Sequence, residues 1–82
     1  MKANLDCIRD VLCYIYYNLD DKEKIRLNDI ASACSSYTQD ELSRTINRMI
    51  KAGLVSVLPL PGGLVVVDIT PDGVTCMKNL ME

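Results

Sequence analysis

The sequence predicts an α+β fold in the order helix, strand, helix, helix, strand, strand, helix. Three observations carry this. Apolar residues recur at spacings of three and four in separate segments, as on one face of a helix. Two β-compatible runs flank the turn sequence "PLPGG". Asn or Thr stands where each helix would begin, at Asn4, Asn28, Thr38 and Thr70.

The first helix spans 4–18. Leu5, Ile8, Leu12, Ile15 and Leu19 form one stripe, suited to a core. Beside it runs a second row, Cys7, Val11 and Tyr14, and Tyr16 and Tyr17 widen the apolar surface. A monomer's surface helix needs less, so the second row is expected to join two protomers. After the polar "LDDKEK", "IRL" (25–27) suits a short strand, and Asn28 caps a helix over 29–34 with Ile30, Ala31 and Cys34 inward.

Thr38 and Glu41 have the spacing of a capping box, which starts a third helix over 38–52. Leu42, Ile46, Met49 and Ile50 face inward, and Gly53 ends it as a left-handed cap. A hairpin follows over 54–69, with strands from Leu54 and from Leu64. Thr70 then caps a last helix, 71–81, with Pro71 at its first position and Val74, Met77, Leu80 and Met81 on its inner face. Two helices joined by a tight turn and followed by a hairpin make a winged helix-turn-helix.

The bulk properties narrow what such a fold can do. The 82 residues suit one domain, 1–82, with a single small core. No run of about 18 apolar residues predicts a membrane span. Asp6, Arg9 and Asp10 interrupt the N-terminal segment, so it does not read as a secretory signal, and a cytoplasmic protein is expected. The four cysteines show no C-x-x-C spacing and there is no histidine. They read as small buried hydrophobes rather than zinc ligands. No cofactor is expected, and an enzyme is not: glycine-rich phosphate loops and a base for a thiol nucleophile are both missing.

A net charge of −2 and a pI near 4.9 argue against gripping nucleic acid by bulk charge. The bases are unevenly placed: residues 53–82 hold only Lys78, against Asp68, Asp72 and Glu82.

On the third helix, Arg44, Arg48 and Lys51 fall within about 60° of one another at 100° per residue, opposite Leu42, Ile46 and Met49. Ser43, Thr45 and Asn47 flank them. Such a face can read the major groove, Arg pairing with guanine and Asn with adenine. Ser43, Arg44, Asn47, Arg48 and Lys51 are therefore the candidate DNA contacts. The plainer alternative is a solvated face, with Asp40 and Arg44 at the spacing of an ordinary surface ion pair. Arg9, Lys22, Lys24 and Arg26 could add phosphate contacts, but Asp6, Asp10, Asp20, Asp21 and Glu23 offset them.

In the hairpin, Leu58, Leu60, Leu64 and Val66 sit among Val57, Val65 and Val67, with only Ser56 and Asp68 polar. One set fills the core. The other either faces outward as a protein-docking surface or is covered by the first and last helices.

"YTQDELSRTINRMIKAGLV" resembles the recognition helix and wing start of many small bacterial winged-helix proteins. "DITPDGVTCMKNL" resembles the segment that follows the wing in them. "LDCIRDVLCYIYYNL" is similar to the opening helix of a phage and prophage family of unknown function, related to the YjcQ-like proteins. These matches cover nearly the whole chain. They imply fold and a mobile-element setting rather than an activity. The sequence ends soon after the last short helix, so no long C-terminal dimerisation helix is expected.

Two functions follow as expectations. The first is a regulator that binds double-stranded DNA as a homodimer, reading the groove with the third helix. The alternative is a winged-helix scaffold that docks on a host or phage protein as a modulator or inhibitor, through Leu58, Leu60, Leu64 and Val66.

Overall fold

The computed structural model describes residues 5–19 and 24–82. The expected cap Asn4 and the charged residues Asp20, Asp21, Lys22 and Glu23 lie outside them. The order is α1 (Leu5–Asn18), β1 (Ile25–Arg26), α2 (Leu27–Ala33), α3 (Gln39–Lys51), β2 (Val55–Leu60), β3 (Gly63–Ile69) and α4 (Pro71–Met81). The strands form one antiparallel sheet in the order β1-β3-β2. This is an α+β winged helix-turn-helix, as the sequence predicts.

Two corrections concern local structure. Leu27 opens α2 instead of closing β1, and Arg26 rather than Asn28 is its N-cap. The reason is Asp29: three residues after the cap, its Oδ2 accepts the Arg26 N–H at 3.2 Å. The Arg26 guanidinium has no acceptor atom to return that bond. Asn28 is thus drawn into the first turn, and Cys34 becomes the C-cap, its N–H donating to the Ile30 carbonyl.

The third helix begins as its capping sequence predicts, with Thr38 Oγ1 accepting the Glu41 N–H at 3.1 Å. Its end is a Schellman motif. Gly53 takes φ 73°, its N–H donates to the Ile50 carbonyl at 3.1 Å, and the Leu54 N–H donates to the Met49 carbonyl at 2.9 Å. That turn delivers the chain into the wing. At the other end of the wing, Thr70 Oγ1 accepts the Gly73 N–H at 3.0 Å and opens α4.

The core is made by Cys7, Val11, Leu12 and Ile15 of α1 with Ile25, Ile30, Leu42, Ile46, Met49, Val55, Val66 and Met77. This corrects the reading of α1. Cys7 and Val11, expected at a dimer interface, are fully buried, and Tyr14 is half-buried. Leu5, expected in the core stripe, is 58% exposed. The physical reason is that α1 is packed against both α4 and α3. Its buried arc is rotated from the single stripe and takes in the second row.

Candidate nucleic-acid interface

α3 presents Ser43, Arg44, Asn47, Arg48 and Lys51 to solvent, all five exposed. The helix period accounts for this, since Leu42, Ile46 and Met49 are held in the core on the other side. Thr45 corrects the expected flank. It is buried, because it lies about 40° from Met49 around the helix and meets α1, where it hydrogen-bonds Cys7.

The exposed face is not purely cationic. Arg44 Nη2 lies 3.1 Å from Asp40 Oδ2, with both side chains more than half exposed. An exposed pair of this kind is worth under about 1 kcal/mol and is screened by salt. It leaves the guanidinium able to exchange partners.

Around this helix the supporting charges sort themselves. Arg9 is committed to α1: its Nε and Nη2 donate to Asp10 Oδ1 at 3.2 and 3.1 Å, and Asp6 lies 3.6 Å from Nη1. The hydrogen bond and charge of Asp10 raise the Arg9 pKa. The offset by Asp6 and Asp10 that the sequence suggests for Arg9 is thus seen as direct ion pairs. Lys24 and Arg26 are exposed. Asp10 also holds Tyr37, its Oδ2 accepting the phenolic hydroxyl at 2.7 Å. That bond pushes the phenol up to about 12. It ties the turn between α2 and α3 to α1, and no local sequence signal announces it, because the partners stand 27 residues apart.

Between α2 and α3 runs a shallow groove with a polar rim of Asn28, Ser32, Ser35 and Gln39. Its inner end is lined by Leu42, Ser43 and Ile46. Hydroxyl and amide groups at such a rim suit contacts to a sugar-phosphate backbone. Among the described residues, no three side chains of metal-binding type converge.

Cys7 and Cys34 are buried, Cys13 and Cys76 partly so. Burial pushes the Cys7, Cys13 and Cys34 thiols up, at Cys7 against an opposing hydrogen bond from Thr45. A raised thiol pKa disfavours the nucleophilic thiolate.

The wing resolves into two faces. Directly paired residues share a face. One row is Ile25, Val66 and Val57, and it looks into the core; the other is Arg26, Val65 and Leu58, and it looks out. Val66 is buried, which removes it from the expected docking surface. Leu58 and Leu60 are 47% and 37% exposed, and Leu64 is half-buried. Val65 is buried on the outer side, apart from the main core cluster. A bulge between Ser56 and Val57 leaves Val67 without a partner on β2.

Gly73 was visible in the sequence only as part of the turn before α4. A Cβ there would collide with the Leu54 carbonyl oxygen and come within 2.8 Å of Ile69 Cγ1.

No family model matches the chain, and no curated protein matches it. Among solved structures it is similar to BpsR of Bordetella bronchiseptica, described for the mechanism by which 6-hydroxynicotinic acid regulates its DNA binding. The TM-score is 0.65 at 26% identity, over 92% of this chain and 55% of that one. The chain thus spans about half the length of BpsR, and what it shares with that DNA-binding protein is the fold over the matched part.

Proposed function

We propose that this chain is a DNA-binding module of regulator type that lays α3 in the major groove. The observation that carries the reading is the exposed row Ser43, Arg44, Asn47, Arg48 and Lys51, on a fold shared with a protein known for regulated DNA binding. Arg44 and Arg48 would read guanine edges, Asn47 an adenine, and Lys51 a phosphate. The hydroxyls and amides along the α2–α3 groove would hold the backbone. With a net charge of −2, non-specific affinity is weak, and sequence readout must supply much of the binding.

Pairing of two copies would bring two α3 helices onto successive half-sites. With Cys7 and Val11 buried, the large apolar side chains that the described part of α1 leaves exposed to a second copy are Leu5, Tyr16 and Tyr17. The phage-type setting rests on the opening helix and the "ITPDG" turn, and a cytoplasmic location goes with the regulator reading.

The test is anisotropy with labelled duplexes selected from a randomised pool, at low and physiological salt. Wild type should bind with a salt-dependent affinity, and Arg48→Glu should abolish it. Equal binding by the variant, or none by wild type at low salt, would remove the proposal.

A second reading is favoured by one observation, the exposure of Leu58 and Leu60 on the outer face of a wing that carries no lysine or arginine. There the hairpin docks on a protein. Leu60→Asp should then abolish recovery of the partner while the melting curve stays unchanged; undiminished recovery would count against it.

A further inference from the structure

Outside the α3 face, a concavity lies between the wing tip and the start of α2. It is an open cleft of about 420 Å³, lined by Arg26, Leu27, Asn28, Leu60, Leu64 and Val65. That volume is within the range of small-molecule sites, roughly 300–1,000 Å³.

Its floor is the outer face of the sheet. Arg26 pairs with Val65 in β1–β3, and Leu60 pairs with Gly63 in β2–β3, so these residues share that face. The space exists because glycines make the tip. At Gly62 and Gly63 an added Cβ would meet nothing within 4 Å, so the chain leaves a shelf where side chains would otherwise stand. Val65 closes the floor and is itself buried.

The polar equipment is sparse and of one kind. Arg26 contributes a guanidinium and Asn28 a carboxamide, and among the described residues no acidic side chain lines the cleft. The carboxylate of Asp29, three residues on, is engaged by the Arg26 backbone amide. A guanidinium binds a carboxylate through two parallel hydrogen bonds. Leucine and valine walls over a sheet suit a flat apolar body. Inorganic phosphate would leave those walls unused.

We propose that this cleft binds a small aromatic monocarboxylate, its carboxylate on Arg26 and Asn28 and its ring between Leu27, Leu60 and Leu64. The cleft shares Leu27 and Asn28 with the groove between α2 and α3, so an occupant would abut that groove. Occupancy itself does not rest on the DNA-binding reading, and it is tested on the free protein.

The experiment is an amide-resolved NMR titration of the whole chain with benzoate, benzamide and inorganic phosphate. Benzoate should give saturable shifts at Asn28, Gly62, Gly63 and Leu64. Benzamide, with the same ring and no charge, should bind about tenfold or more weakly, as should Arg26→Gln with benzoate. Gly62→Leu should fill the shelf and block benzoate while leaving the remaining spectrum in place, since the site offers open space and the backbone there needs no left-handed conformation. No saturable shift with benzoate, shifts centred elsewhere, equal binding of benzamide or phosphate, or unchanged affinity in both variants would each overturn the assignment.

Discussion

The hydroxyl of Thr70 donates to the carbonyl oxygen of Gly53 at 2.6 Å. The same oxygen atom of Thr70 accepts the amide of Gly73, and the Thr70 N–H donates to the Leu54 carbonyl at 3.0 Å. One residue thus fastens the end of α3, the mouth of the wing and the start of α4. The orientation of the exposed α3 face is set at its C-terminus by this clasp, 17 residues across the chain.

The clasp leaves no room for a side chain at Gly73. Gly73→Ala should destabilise the fold by about 3 kcal/mol, through overpacking against backbone that cannot move aside, and lower Tm by roughly 15 °C for a domain of this size. Gly62→Ala at the wing tip, where a Cβ meets nothing, should stay within about 0.5 kcal/mol of wild type. Thermal melts followed by circular dichroism check both. Similar melts for the two variants would contradict the packing described at Gly73.

Tyr37→Phe removes the hydrogen bond to Asp10 and should cost about 1 kcal/mol in urea denaturation. The folded phenol is held up at about 12, against an ordinary value of 10.0, by that bond first, then by burial and nearby negative charge. A raised folded pKa stabilises the fold while the group is protonated. The advantage of wild type over Tyr37→Phe should therefore be full below pH 10 and shrink as pH rises toward 12. An advantage that grew with alkali would reverse the sign and refute it.

Buried thiols predict a labelling pattern. In the native protein, alkylation of Cys7 and Cys34 requires opening of the core. It should run slower than in urea by on the order of 100-fold or more, whereas Cys13 and Cys76 should show the smaller protection of partly buried groups. Peptide mass spectrometry after timed iodoacetamide exposure reads the four sites separately.

At the start of α3, Asp40→Asn removes a carboxylate from the exposed face and from the Arg44 pair. Stability should fall by about 0.5 kcal/mol, since Asp40 also favours the helix N-terminus. On the DNA-binding proposal, affinity should rise at low salt and converge with wild type at high salt. Lys51→Ala should reduce the salt slope by about one phosphate contact. An affinity unaffected by either change, measured by anisotropy, would argue that this face does not touch DNA.

The helix limits were legible where a single side chain has no competitor nearby. Thr38, Gly53, Thr70 and Pro71 each have one plausible local role, and each fulfils it. Asn28 failed because Asp29 next to it competes for the same turn from a better position. The wing's three consecutive valines read as a failure of alternation; they are an outward Val65, an inward Val66 and a bulged Val67. Which face α1 buries was not legible, because two other helices decide it. The period of α3 sufficed to expose Ser43, Arg44, Asn47, Arg48 and Lys51, yet it misplaced Thr45, whose hydroxyl is accepted into the interior by a neighbouring thiol. The Tyr37–Asp10 link and the cleft below the wing tip arise only when distant segments meet.

That phenol–carboxylate link has a mechanical meaning for the whole domain. It pins the elbow between α2 and α3 to α1, so α3 cannot tilt without dragging α1 along. Whatever grips α1 from outside holds a handle on how α3 is presented.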